Sequence, residues 1–144
     1  MKTLQKTVVL LCLCAIHAVA DETVTLTITV TGLSPNEGQI IVSLFDEEKQ
    51  YLKQPLSTLR ESIHDGDTLD VEFANLKAGL YAVSMFYDLD NDGELDTGMF
   101  RIPKEPIGFS NNARGKFGPA KWQQTNFQIV RDLHVTIHVA DVIK

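Results

Sequence analysis

Beyond residue 14 the 144-residue chain contains no cysteine. Its only two, Cys12 and Cys14, lie in an apolar opening segment where Lys2 and Lys6 precede a run from Val8 to Ile16 that closes on Ala18-Val19-Ala20. This layout predicts a secretory signal peptide over residues 1–20, cleaved before Asp21. A membrane anchor would need about 20 apolar residues, and a lipoprotein signal would put a small residue where leucine precedes each cysteine. The expected domain, residues 21–144, therefore has no disulfide, no thiol nucleophile and no cysteine-held metal. Later in the chain no apolar run is long enough to span a bilayer. Excess positive charge is missing too. Loss of residues 1–20 takes two of the 13 basic residues and none of the 19 acidic ones, leaving 11 against 19 and a net charge of −8. Such a surface repels polyphosphate, which argues against nucleic acid, and has no reason to seek anionic lipid. Helical periodicity, internal repeats and low-complexity tracts are also absent.

What the chain does have is alternation. Thr23 to Thr31 places Val24, Leu26, Ile28 and Val30 on one face and threonines on the other, the period-two pattern of a half-buried strand. A turn-rich stretch, Gly32 to Gly38, leads to a second and more apolar strand, Gln39 to Phe45; the short connection predicts that the two pair antiparallel. Asp46 to Pro55 reads as a loop with one helical turn. Leu56 to Ile63 is a weaker strand, followed by a hairpin signal at Asp65-Gly66 and by Thr68 to Phe73 with Leu69, Val71 and Phe73 inward. The turn Asn75 to Gly79 opens the strand Leu80 to Tyr87. Tyr81 is either a corner tyrosine, whose phenol caps upstream backbone as the chain crosses between sheets, or a plain core residue. Gly98 to Gln124 is long and rich in Gly, Pro, Asn and Lys; Phe100, Ile102, Ile107, Phe109, Phe117 and Trp122 predict that it packs in order against the sheets. Asn126 to Val130 and Leu133 to Val139 read as a closing hairpin. The fold class expected is all-β: one antiparallel, immunoglobulin-like β-sandwich of about seven strands with a long ordered loop.

Candidate chemistry concentrates in Asp88-Leu89-Asp90-Asn91-Asp92-Gly93-Glu94-Leu95-Asp96. Carboxylates stand at positions one, three, five and nine and glycine at six, a spacing that turns successive oxygens inward around calcium while glycine takes the sharp bend. The expected metal residues are Asp88, Asp90, Asp92, Glu94 (through its carbonyl) and Asp96. Position twelve is Met99 where a helix-loop-helix calcium site needs a bidentate glutamate, so that motif is excluded. Asp65, Asp67 or Glu105 is left to complete the shell. Magnesium fits less well because it keeps its waters. The competing reading is a solvated hairpin loop, against which stands the mutual repulsion of five carboxylates within nine residues.

Other groups carry less. Arg101, Lys104, Arg114, Lys116 and Lys121 gather positive charge after the acids, either as an anion pocket or as balance for the acidic neighbour. His134 and His138, four apart on a strand, stand about 13 Å apart at ~3.3 Å per residue, too far to share zinc. No hydrolase elbow or phosphate loop is present, and Ser110 has no local base. The reading is thus a non-enzymatic module that binds an unknown protein or carbohydrate, as a monomer; the alternatives are a carbohydrate-processing or other hydrolase using Asp88, Asp90, Asp92 or Glu105, and a structural domain with no site.

The ordered series Phe73-x-Asn75-Leu76-x-x-Gly79-x-Tyr81-Ala82-Val83, then Asp88-x-Asp90-x-Asp92-Gly93-x-Leu95-Asp96, then Pro103-Lys104-Glu105-x-x-Gly108-Phe109-Ser110-Asn111-Asn112 and Phe117-Gly118-Pro119 resembles a bacterial secreted family, domain of unknown function 2141. Where that family usually reads histidine before the acidic loop, this chain has Tyr87, together with more aspartates. The resemblance implies an exported small β domain, periplasmic or extracellular, with the Pro103 to Asn112 segment a structured part of the site. It supplies no reaction and no substrate.

Overall fold

The computed structural model describes residues 22–142, so the expected signal peptide lies outside the described residues. The described residues form eight strands: β1 (Thr23–Thr31), β2 (Gln39–Phe45), β3 (Ser57–Ser62), β4 (Thr68–Lys77), β5 (Gly79–Asp88), β6 (Ile107–Phe109), β7 (Phe127–Ile129) and β8 (Leu133–His138). The one α-helix among the described residues, α1, spans the four residues Trp122–Thr125. None is long and apolar enough to cross a membrane.

The strands build two sheets, β4-β1-β8 and β3-β2-β5-β6, with β7 continuing the line of β6 along the same edge of β5. Their facing surfaces share one core: Leu26, Ile28 and Val30 of β1 and Val71 and Phe73 of β4 meet Ile40, Val42 and Leu44 of β2 and Val83 and Met85 of β5. β1 follows its period closely, burying Val24, Leu26, Ile28 and Val30. β2 is buried on both faces because Phe45, with Ala82, joins Trp122 and Tyr51 in a smaller cluster on the outer side. Edge-to-face contacts at 5.3 Å (Phe45–Tyr51) and 5.7 Å (Tyr51–Trp122) pack it.

Three expected pairings are corrected. β1 and β2 do not pair, and the Gly32 to Gly38 turn instead carries the chain from one sheet to the other. The turn after β3 does the same, so Asp65-Gly66 closes no hairpin. β7 and β8 separate as well: β7 joins β5 and β8 lies parallel to β1. Face-to-face sheets stand about 10 Å apart, a gap that these connections of three to seven residues bridge as readily as they close a hairpin. Of the residues of 98–124 expected to pack, Phe109 and Trp122 are buried and Ile102 and Ile107 half-buried, whereas Phe100 and Phe117 are 89% and 104% exposed.

The β4–β5 connection is also a crossing, and here Tyr81 takes the corner role: its hydroxyl donates to Lys77 O at 2.8 Å, four residues upstream. Tyr81→Phe should therefore cost about 1 kcal/mol, one hydrogen bond at an otherwise unchanged ring. A lower urea midpoint at constant m-value would read it.

Candidate metal centre

β5 ends at Asp88, which by alternation lies on the face opposite the core-facing Val83, Met85 and Tyr87 and is nonetheless 0% exposed. The following loop is wound by its own acids. Asp90 Oδ1 accepts the N–H of Asp92 at 3.3 Å, and Asp92 Oδ1 accepts that of Glu94 at 2.7 Å. These are the aspartate turns such spacing favours. Gly93 brings its N–H back to Asp88 Oδ2 at 2.9 Å through a left-handed φ of +83°, the conformation that favours glycine at this bend. Gln39, opposite Asp88 on β2, donates its side-chain amide to the same Oδ2 at 2.6 Å.

Past the acids the chain turns on itself. Lys104 N bonds Asp96 O at 2.9 Å, Thr97 bridges Pro103, and Gly98 N bonds Ile102 O at 2.7 Å. The result is a short finger with Met99, Phe100 and Arg101 at its tip. Glu105, 5% exposed, buckles the root of the finger to the start of the loop: Oε1 accepts Leu89 N at 2.9 Å and Oε2 accepts Asp96 N at 3.1 Å.

This folding brings Asp88, Asp90 and Glu105 together, one carboxylate oxygen from each lying within 4.8 Å of the others. Asp88 Oδ1 is buried and has no hydrogen-bond partner among the described residues. Burial pushes the Asp88 carboxyl up, but the hydrogen bonds that Oδ2 accepts from Gln39 and the Gly93 N–H, with the polar groups of Asp90 and Asn91 nearby, outweigh it and hold the group below the ordinary carboxylate range. Asp90 goes the other way. The Asp92 N–H favours its charge, yet desolvation, the Asp92 and Asp96 charges and the nearby Asp88 carboxylate together raise it. An ionised, buried carboxylate and a crowded neighbour share one spot, the repulsion that a divalent ion relieves.

Of the residues expected to hold metal, then, Asp88 and Asp90 meet, while Asp92, Glu94 and Asp96 are exposed and stand outside the group. Glu105 completes it, and Asp65 and Asp67 do not take part. Gln39, which anchors Asp88, carried no signal in the sequence beyond its place at the head of β2. Glu105 keeps free lone pairs after accepting two N–H groups, so all three carboxylates have oxygens to offer a cation. Oxygen-only donors of this kind suit a hard cation such as calcium or magnesium.

The segment beyond the finger is structural. Ser110, buried, accepts Val83 N at 2.9 Å and donates to Thr125 O at 2.6 Å. Asn111 donates to Gln124 O and Asn126 O, and Asn112 clips the edge of β8 by donating to Thr136 O and accepting His138 N.

Comparison with known proteins agrees with the motif series. Neither the curated proteins nor the solved structures returned a match. The family described as an uncharacterized protein conserved in bacteria (DUF2141) matches residues 28–138, which takes in the acidic loop, the finger and Ser110 to Asn112. The chain belongs to that family.

Proposed function

We propose that this is an exported, non-enzymatic module of the bacterial envelope, periplasmic or extracellular, whose acidic loop binds calcium through Asp88, Asp90 and Glu105 and serves a binding or structural role toward a protein or carbohydrate. The observation that carries the cation is Asp88: a fully buried carboxylate with one oxygen that has no hydrogen-bond partner among the described residues, set against two further carboxylates. Orphaned buried acceptors are costly, at roughly 1–3 kcal/mol, and a cation is the simplest partner for this one. Three carboxylates with no bidentate closing ligand fit an affinity on the order of 0.1–1 mM, in the range of extracellular calcium modules. The same burial supports a non-catalytic reading. Asp88 and Glu105 have almost no contact with solvent and spend oxygens on Gln39 and backbone N–H groups, so neither faces a substrate.

Within the two-sheet class, the kinship with immunoglobulin-like sandwiches rests on the Tyr81 corner. The strand order is another matter: constant-type immunoglobulin domains keep their first two strands in one sheet, and here β1 and β2 lie in different sheets.

Thermal unfolding tests the cation. Several-fold Kd of calcium should stabilise by about 1 kcal/mol relative to EDTA, with magnesium weaker, and Asp88→Asn/Asp90→Asn should lose the response. An equal response in the double variant would place the ion elsewhere. No shift with either ion, and no metal retained through EDTA, would leave the acids as a solvated loop.

A further inference from the structure

Two loops of this acidic chain end in exposed phenylalanines set among cations. At the tip of the finger, Met99 and Phe100 are exposed beside Arg101, with Lys104 behind them. In the next loop Phe117 is fully exposed beside Lys116, with Arg114 three residues before it. Both tips are built. Phe100 and Arg101 adopt φ +60° and +57°, left-handed conformations that are strained for residues with a Cβ, and the finger is closed beneath them by the Gly98 to Ile102 hydrogen bond. In the second loop a Cβ on Gly115 would fall 1.8 Å from Gly118 O, so the chain folds back on itself directly under Lys116 and Phe117. The tips border one face: Asp141 and half-exposed Val142 line the hollow beside Met99, Phe100 and Lys104 and also the hollow beside Arg114, Gly115 and Gly118.

We infer that this face docks on an anionic lipid surface, with Phe100 and Phe117 entering the boundary between headgroups and acyl chains. Charge complementarity carries the choice. Residues 98–104, 113–118 and 141–142 hold four of the chain's 13 basic residues and a single acid, Asp141, although acids outnumber bases in the chain as a whole. Basic side chains around protruding apolar ones combine the two terms that hold peripheral proteins to anionic bilayers. The shape agrees. Two separate tips can each enter a fluid surface on their own, whereas a rigid protein partner would need two pockets at matched spacing. The net negative charge of the chain opposes this only through acids within about a Debye length of ~8–10 Å, chiefly Asp96 at the root of the finger, since those farther off are screened.

The test is co-sedimentation of the full chain, as purified, with vesicles of phosphatidylglycerol and phosphatidylethanolamine, against phosphatidylcholine alone, each in EDTA and in millimolar calcium. Phe100→Asn/Phe117→Ser and Arg101→Gln/Lys104→Gln/Arg114→Gln/Lys116→Gln run alongside, with melting curves to confirm the fold. Any retained leader is common to wild type and variants, so their difference reads the face alone. Wild type should partition to the anionic vesicles in at least one ionic condition, and each variant should fall by about tenfold or more at an unchanged midpoint. Binding in EDTA supports this inference whatever becomes of the calcium reading. Variants that sediment like wild type in both conditions would overturn it. So would a dimer in size-exclusion chromatography that Phe100→Asn/Phe117→Ser dissolves, since the face would then join two copies.

Discussion

Asp88→Ala should lower the thermal midpoint by about 8 °C in EDTA and abolish any response to calcium. The first part follows from what Asp88 holds. Its Oδ2 accepts the Gln39 amide and the Gly93 N–H, and those two bonds fasten the acidic loop to the end of β2. Charge-assisted hydrogen bonds contribute about 1.5–3 kcal/mol each, and truncation leaves both donors unpaired. Against this, the alanine removes the desolvation cost of a buried carboxylate and of its orphaned Oδ1. A net loss of about 2 kcal/mol remains, which for a domain of this size is roughly 4 °C per kcal/mol. Asp88→Asn separates the two roles. Its amide oxygen can still accept from Gln39 and Gly93, so the loss in EDTA should be smaller, about 1 kcal/mol. The calcium response should vanish all the same, because a cation gains little from a neutral amide whose NH₂ occupies the orphan position. Calorimetry of wild type and both variants reads all of this. A midpoint for Asp88→Ala equal to wild type in EDTA would mean that the loop is not anchored through this carboxylate.

The contrast between Asp88 and its neighbours shows where the sequence was legible. Alternation located the strands, because period two is a local property: Val24, Leu26, Ile28 and Val30 face in as their spacing requires. Strand partners were not legible, since a turn such as Gly32 to Gly38 serves equally to close a hairpin or to cross between sheets, and the choice rests on how distant faces pack. The acidic loop announced oxygen-rich cation chemistry, yet its five acids look alike in one dimension. Only the fold separates Asp88, sealed under Gln39, from Asp92, Glu94 and Asp96, which stand in water. Glu105 lies nine residues beyond Asp96 and reaches the cluster because the finger doubles back, a path set by backbone bonds between 96 and 104 that no spacing rule encodes. Phe100 and Phe117 were misread for a related reason. In a segment with no periodicity, an aromatic residue carries no information about the face it takes.

Ser110→Ala should cost about 2–3 kcal/mol, a large effect for the loss of one oxygen. On one edge of β5, β7 pairs with Gly79 to Tyr81 and β6 with Ser84 to Phe86, and the gap between them falls at Val83. Ser110 fills it. Its hydroxyl accepts Val83 N at 2.9 Å, has Val83 O at 3.3 Å, and donates to Thr125 O at 2.6 Å, so one side chain stands in for the missing strand residue and ties α1 to the sheet. Removing it leaves a buried N–H and a buried carbonyl with no substitute, and the site, closed to solvent, cannot readily admit water. The urea midpoint should fall at constant m-value, and amide exchange at Val83 should accelerate more than at its neighbours Ala82 and Ser84. Asn111→Ala, which removes an exposed link between the same segments, should cost only about 1 kcal/mol. The pattern also bears on catalysis: a serine whose oxygen is committed to backbone on both sides is a structural bond, so hydrolase activity surviving in a folded Ser110→Ala protein would have to come from the carboxylates. A stable Ser110→Ala variant with unchanged Val83 exchange would show that the gap between β6 and β7 is closed by other means.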